Sequence, residues 1–175
     1  MRTNVLLREM NVSVPASDER RIEVFVQGLP LSRGKQLAVD VTLRHTLDID
    51  GQPKSRAATE DAAVADGARI DKEVQYPEFA SSNRCQLVVV AVETGGRWST
   101  EALQFLEDLS FARVRDLPSA QHEKARLAWL RRWSRLFATS CATVFVQSLT
   151  SPSGAVDVLD GFVPTLSEVL ECHAA

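Results

Sequence analysis

Two segments near the N-terminus alternate apolar and polar residues, a pattern typical of β-strands that bury one face. They are Ile22 to Gln27 and Gln36 to Leu43, and the segment between them, GLPLSRGK, is rich in turn-forming residues. The pattern predicts a β-hairpin. With a symmetric loop, Glu23 on the first strand lies opposite Asp40 on the second.

The alternation also predicts which side chains share a face of this hairpin. The apolar face holds Ile22, Val24, Val26, Leu37, Val39, Val41 and Leu43. The other face holds both acids together with Phe25, Gln27, Ala38 and Thr42.

Glu23 and Asp40 would then be cross-strand neighbours about 5 Å apart, where two like charges repel. A divalent cation with oxygen ligands, above all Mg²⁺ or alternatively Mn²⁺, would relieve the repulsion. For the metal-free protein, the repulsion by itself predicts that Asp40→Ala slightly raises stability. If the loop is asymmetric, the register shifts and both acids face water, and the two strands alone do not decide between these alternatives.

The segment from Ala57 to Gln75 is rich in alanine and charge and has helical periodicity. One stripe of the predicted helix contains Val64, Ala68, Lys72 and Tyr76, with Asp61 and Ala65 beside them. Lys72 therefore falls among inward-facing residues. Either its stem packs while its amine reaches water, or the amine is delivered to the acidic face of the hairpin. Pro77 ends the helix.

The rest of the chain predicts one more strand and two helices. The segment from Cys85 to Glu93, CQLVVVAVE, is almost continuously apolar, as expected of a central strand buried on both faces. Ser99 is a typical N-cap for a helix from Thr100 to about Arg115, and a longer helix is predicted from about Ala120 to Leu149. Together these elements predict an α/β (α+β) fold with a small mixed sheet, a helix packed on it and two C-terminal helices.

The second of these helices carries a basic patch. Lys124, Arg131, Arg132 and Arg135 lie along it, interleaved with Trp129. Such residues can hold phosphates, and arginine with tryptophan can stack on bases. The alternative is an ordinary solvated helix face.

Composition fits one globular domain, since 45% of the residues are apolar and 25% are charged. We expect residues 1–19 to be an extension or an extra strand, residues 20–150 the domain, and residues 151–175 a flexible tail. The net charge of −3 means that any nucleic-acid binding needs a local positive patch. Three dispersed cysteines and the absence of a signal-like or membrane-length apolar run predict an intracellular protein, nuclear or cytoplasmic, that is neither secreted nor membrane-bound.

Four segments together resemble a known group of proteins: RRIEVFVQGLPLSRGKQLAVDVTL, DKEVQYPEF, LVVVAVETGGRWSTEALQFL and ARLAWLRRWSRLFA. They are similar to the region that follows the reverse transcriptase in retrotransposon-like proteins abundant in dinoflagellate genomes. That region looks like a restriction-endonuclease-like domain of the PD-(D/E)XK nuclease class. The likeness runs from about Arg20 to Leu149.

The resemblance implies a set of catalytic residues. In that nuclease class two acids on neighbouring strands bind Mg²⁺, and a lysine helps to activate the attacking water. Glu23 and Asp40 would be the acids. The class usually has its lysine two residues after the second acid, where this chain has Thr42, and Lys72 would take its place from the following helix. The implied activity is hydrolysis of a DNA phosphodiester, which in a retroelement would supply the primer end for reverse transcription.

Two other interpretations of the sequence remain open. In one, the chain is a catalytically inactive module that binds nucleic acid or protein through its basic helix, and the acids are incidental. In the other, it is an inert fragment of a retroelement polyprotein. The histidines and cysteines lack the spacing of a zinc site, and no serine or cysteine motif marks a nucleophile.

Overall fold

The structure of the protein is a computed structural model that describes residues 1–150. Its elements in chain order are β1 (Arg2–Leu6), β2 (Arg21–Val26), β3 (Gln36–Arg44), α1 (Ala63–Asp66), α2 (Ala68–Gln75), β4 (Cys85–Glu93), α3 (Thr100–Val114) and α4 (Ser119–Thr150). Short 3₁₀ turns occur at Leu7–Glu9, Ser32–Gly34 and Pro77–Phe79. The chain divides into two compact units, Met1–Ser134 and Arg135–Ala175. The predicted tail, residues 151–175, lies outside the described residues.

The four strands form one mixed sheet in the order β1-β2-β3-β4. The first three are antiparallel, whereas β4 runs parallel to β3 from the pair Gln36 and Cys85 to the pair Arg44 and Glu93. This confirms the α/β prediction, and β1 is the extra strand expected within residues 1–19. The central position predicted for β4 is wrong, because within residues 1–150 it pairs along its length only with β3. Its continuous apolar sequence reflects burial on both faces at the end of the sheet.

Helices cover the sheet on both faces, and each face has its own core. On the face of α1 and α2, the buried residues include Phe25, Ala38, Leu87, Val89, Ala65, Ala68 and Phe79. On the face of α3 they are Leu37, Val39, Val88, Val90 and Ala102, with Val24, Val26 and Phe105 packed against them. Neighbouring sheet residues therefore alternate between the two cores, as the period of a strand requires.

The register of the hairpin agrees with the symmetric loop. Val24 pairs with Val39, and Phe25 pairs with Ala38. Gly28 and Gly34 both have a φ of 78°, a left-handed conformation that glycine adopts without a steric penalty. Continued by one residue, this register places Glu23 beside Asp40.

The regular alternation of β2 breaks at Glu23, which the sequence did not predict. Pairing with β1 is interrupted there, because Thr3 pairs with Val24 and Val5 pairs with Ile22, while Asn4 between them has a φ of 51°. Ile22 consequently belongs to the core on the α1 and α2 side, and its predicted place on the face of Val24 is wrong.

The second half of β3 is less covered than the alternation predicted. Its pairing with β2 ends at Val39. Val41 and Leu43, which were assigned to the buried apolar face, remain 48% and 52% exposed. The side of β3 that faces β2 is therefore open from Asp40 onward, although the Asp40 side chain itself is fully buried.

The predicted helix from Ala57 to Gln75 begins only at Ala63, and it is divided at Gly67 into α1 and α2. Residues 57–62 are turns, and Ala62 has a φ of 57° immediately before α1. The start of α1 is fixed from a distance, because the buried carboxylate of Glu93 accepts the N–H groups of Val64 at 3.0 Å and Ala65 at 3.3 Å. A carboxylate at this position satisfies free helix donors and complements the helix dipole.

The outer edge of β4 is closed by side chains of the two helices that flank it. The Leu87 carbonyl accepts a hydrogen bond from Arg69 of α2 at 3.1 Å, and the Val89 N–H donates to Glu101 of α3 at 3.1 Å. Arg69 and Glu101 also form an ion pair with each other at 2.8 Å. An edge strand with satisfied backbone groups is a poor template for pairing with another chain.

α3 begins as predicted, since the Ser99 side chain accepts the Ala102 N–H at 3.2 Å. The first part of α4 packs beside α3, where the Arg126 guanidinium lies over the Phe111 ring at 4.8 Å. None of the helices formed by residues 1–150 is both long enough and apolar enough to cross a membrane.

Candidate active site

Asp40 is the most deeply buried acid of the hairpin. It lies on β3 with 0% of its surface exposed, on the face covered by α2. A lone buried carboxylate is costly, so such a group needs a charged or hydrogen-bonding partner. Asp40 has one in Lys72, whose Nζ lies 2.7 Å from Asp40 Oδ2.

Lys72 reaches Asp40 because α2 faces the sheet with the stripe that the periodicity predicted. Ala68 is buried one turn before it and Tyr76 one turn after it. The Lys72 side chain is only 15% exposed, and its amine contacts the carboxylate. Of the two orientations considered for Lys72, delivery to the acidic face is the one that the structure shows.

Glu23 lies on the open side of Asp40. Its Oε2 accepts the Val41 N–H at 3.2 Å, so the side chain occupies the space where β2 and β3 separate. The pKa of Glu23 is raised, mainly by burial, with additional contributions from the charge of Asp40 and from a hydrogen bond between the two carboxyl groups. Although the residue as a whole is exposed, its carboxyl group is thus held against a second acid.

Tyr76 completes this cluster and was not predicted as a site residue. Its hydroxyl donates to the Arg21 carbonyl at 3.0 Å and lies 3.4 Å from Asp40 Oδ1. Its ring lies 5.7 Å from Lys72 Nζ. Burial, followed by the charges of Asp40 and Glu23, raises the pKa of Tyr76 to about 12. The available signal was its position one helical turn after Lys72 on the inward stripe.

The position of Tyr76 is fixed by a second set of charges. The Arg20 guanidinium lies 5.9 Å from the Tyr76 ring centre and forms ion pairs with Asp18 and Glu78, both at 2.5 Å. Arg20 also donates to the Gln75 carbonyl at the end of α2. The start of β2 and the end of α2 are therefore tied together at the site.

The donor set is compatible with Mg²⁺. No group of three or more histidine, cysteine, aspartate or glutamate side chains is placed to hold a metal ion within the described part of the chain. Mg²⁺ is commonly held by one or two carboxylates, with waters and substrate phosphates as its other ligands. Glu23 and Asp40 provide two adjacent carboxylates, and burial together with the charge of Asp40 raises the pKa of Glu23.

The predicted nucleic-acid-binding residues lie on α4, away from this cluster in sequence. Lys124, Arg131 and Arg132 are exposed, and so is Arg135, which belongs to the second unit. Exposure leaves all four able to meet a phosphate.

The Trp129 ring, which was expected to stack on a base, is surrounded by side chains of the protein itself. The guanidinium groups of Arg113 and Arg132 lie 4.9 Å and 5.8 Å from its ring centre, and the Trp133 ring lies 5.3 Å away. Trp129 is therefore already engaged within the protein.

The structure thus brings together the three residues that the sequence singled out and adds Tyr76. Two carboxylates and one ammonium group leave an excess of negative charge where the pairing of β2 with β3 ends. No known family model matches this chain, and a search of curated proteins likewise finds no match.

Proposed function

We propose that the chain is a metal-dependent phosphodiesterase that cuts DNA, with Glu23, Asp40 and Lys72 as its catalytic residues. The observation that carries the proposal is the convergence on Asp40: Lys72 contacts it from α2, and Glu23 adjoins it from β2. The two acids and the lysine come from three separate elements, and apolar residues at these positions would fill the same space without any charge.

Glu23 and Asp40 are the residues that would hold Mg²⁺. The ion would polarise a phosphate oxygen and lower the pKa of a bound water. Its charge would also offset the burial and the repulsion from Asp40 that together raise the pKa of Glu23.

Lys72 would act on the reacting phosphate. Its amine is already held beside the carboxylates, so little reorganisation is needed when negative charge develops in the transition state. It would also orient the attacking water by a hydrogen bond. Tyr76, whose hydroxyl donates to the Arg21 carbonyl, would keep the end of α2 beside β2 and Asp40.

The resemblance to PD-(D/E)XK nucleases supports the same assignment. Thr42 stands where that class usually has its lysine, and the contact of Lys72 with Asp40 offers a substitute from α2. In a retroelement protein, the resulting cut would provide the primer end for reverse transcription.

The test is nicking of supercoiled plasmid in the presence of Mg²⁺ or Mn²⁺. We expect nicking by the parent protein and a loss of about 100-fold or more in Asp40→Asn and Lys72→Met, as when a preorganised transition-state contact is removed. Asp50→Asn and Lys54→Met are matched controls, because both residues are exposed in the loop between β3 and α1. Equal nicking by all five proteins would reject the site.

The alternative is an inactive nucleic-acid-binding module that uses the exposed basic side chains of α4. It is favoured if the parent binds DNA without nicking it. In that case Arg131→Ala and Arg132→Ala should weaken binding, while Asp40→Asn leaves it unchanged.

A further inference from the structure

Two ion pairs connect β3 to α2; in one the strand supplies the acid, and in the other the helix does. Asp40 of β3 pairs with Lys72 of α2, and Arg44 of β3 pairs with Asp71 of α2 at 2.8 Å. Because Arg44 follows Asp40 by four residues on one strand, the two side chains share a face of the sheet. The first pair belongs to the proposed catalytic site, and the second has no role in it so far.

The two pairs differ in burial. The Asp40 side chain is inaccessible, whereas the Asp71 side chain is 62% exposed and the Arg44 side chain 25% exposed. An exposed carboxylate gains little from such a pair, because solvent screens the two charges and holding both side chains in one geometry costs entropy. Asp71 can therefore be displaced from Arg44 at small cost.

Arg44 also has unused hydrogen-bonding capacity. Its Nε is buried and has no hydrogen-bond acceptor among the described residues. A guanidinium group has five N–H donors in a planar fork, which matches the oxygens of a phosphate. Its Nη2 contacts Asp71, and its Nε stays without an acceptor within the described part of the chain.

The spacing suits a polymeric substrate. Four residues of a β-strand span about 13 Å, at about 3.3 Å per residue. DNA rises about 3.4 Å per nucleotide along one strand, so this distance corresponds to a few nucleotides. A strand whose reacting phosphate lies at Asp40 would have another phosphate near Arg44.

We propose that Arg44 binds a second phosphate of the substrate and that the Asp71 carboxylate occupies this position until the phosphate replaces it. This inference rests on the proposed phosphodiesterase function and extends it from one phosphate to a run of the backbone. Arg44 would position the DNA relative to Lys72 and would not take part in the bond-breaking step.

The test is binding of a short fluorescein-labelled DNA duplex in Ca²⁺, followed by fluorescence anisotropy across a range of salt concentrations. Arg44→Met should weaken binding about tenfold and lower the slope of log K against log salt by about one, as expected for loss of one phosphate contact. Arg84→Met, an exposed arginine just before β4, is the matched control and should change neither value.

Asp71→Asn should act in the opposite direction. Binding should tighten about threefold, because the phosphate no longer competes with a carboxylate for Arg44. Glu73→Gln removes an acid from the same helix and is the control for general repulsion. In the double variant Arg44→Met/Asp71→Asn the gain should disappear, since the two effects share one group.

The outcomes separate the two proposals. If the parent nicks plasmid but Arg44→Met binds DNA as the parent does, the phosphate-binding role is wrong and the catalytic site stands. If Asp71→Asn and Glu73→Gln tighten binding equally, or Asp71→Asn still tightens it in the Arg44→Met background, Asp71 does not compete with the phosphate for Arg44.

A parent that neither binds nor nicks DNA rejects the proposed function itself. Arg44→Lys and a melting curve for each variant show whether any loss reflects unfolding, in which case Arg44 serves the fold.

Discussion

At the scale of single residues, Asp40 is the group that the other charged and polar side chains of the site contact. Lys72 neutralises it on one side, the Tyr76 hydroxyl lies beside it on another, and Glu23 repels it from the open side. The repulsion between the acids could be foreseen from the hairpin, but the strength of the Lys72 contact could not. That contact reverses the stability effect expected from the acid pair alone.

Asp40→Ala should therefore destabilise the metal-free protein. The substitution leaves the largely buried Lys72 amine without its carboxylate, and breaking a buried pair costs about 3 kcal/mol. Urea denaturation measures the change, with the exposed Asp50→Ala as control. Adding Lys72→Met to Asp40→Ala should restore part of the loss. A more stable Asp40→Ala would mean that repulsion from Glu23 outweighs the ion pair.

Tyr76 offers a direct measurement of the electrostatics at the site, because it is the single tyrosine in the chain. Its ultraviolet titration should have a midpoint of about 12, above the ordinary value of 10. Asp40→Asn should lower the midpoint, since it removes one of the charges that raise it. A midpoint that Asp40→Asn leaves unchanged would contradict the contact.

The raised pKa of Tyr76 also links stability to pH. A group whose pKa is higher in the folded state stabilises the fold fully below its unfolded pKa and loses that effect as pH rises through the folded value. The contribution of Tyr76 should be complete below pH 10 and disappear between about pH 10 and 12. Circular dichroism recorded at each pH shows whether the protein is still folded when Tyr76 ionises. If it unfolds at a lower pH, the loss of stability has another cause.

At the scale of elements, two features position the site: the α1–α2 segment and the closed edge of β4. Gly67 joins α1 to α2 in ordinary helical geometry, with a φ of −60° and a ψ of −23°. The Lys72 stripe therefore depends on a junction that does not need glycine.

Gly67→Ala should stabilise the protein by about 0.5–1 kcal/mol, because alanine loses less backbone entropy on folding. An added Cβ would lie 3.4 Å from the Val64 carbonyl oxygen, an ordinary contact distance. Gly96→Ala is the matched opposite, since its φ of +84° should cost about 1 kcal/mol or more for alanine. Thermal melting decides, and a less stable Gly67→Ala would show that the Val64 contact is repulsive.

Glu101→Ala should promote self-association. The Val89 N–H loses its acceptor and Arg69 loses one of its partners, which opens the outer edge of β4 to a second chain. Sedimentation velocity at increasing protein concentration measures the effect. Asp108→Ala, an exposed acid farther along α3, is the control. A monomeric Glu101→Ala would mean that other contacts already protect the edge.

At the scale of the whole molecule, the accuracy of the sequence-based prediction follows the range of the interactions involved. The bounds of β4, the start of α3 and the hairpin register depend on local patterning, and they agree with the structure. The displaced start of α1 and the break at Glu23 depend on Glu93 and Asn4, which are distant in sequence. Tyr76 was overlooked because its inward position resembles that of a core residue.

Metal binding should be visible in the stability of the folded chain. If Glu23 and Asp40 hold Mg²⁺, adding the ion at about 100 times its Kd should stabilise the fold by about 2.7 kcal/mol. Each kcal/mol corresponds to a Tm change of about 2–4 °C for a chain of this size. EDTA should reverse the shift, and Asp40→Asn should abolish it. An equal shift in Asp40→Asn would place the ion elsewhere.

Cys85, the first residue of β4, provides a chemical probe of how often this strand opens. Its thiol is 1% exposed, and burial raises its pKa to about 11, so it resists alkylation while the strand stays in place. With Cys141 and Cys172 replaced by serine, the rate of iodoacetamide labelling would report how often this end of the sheet detaches. The same variant could then show whether DNA slows that detachment, in a measurement that needs no cleavage.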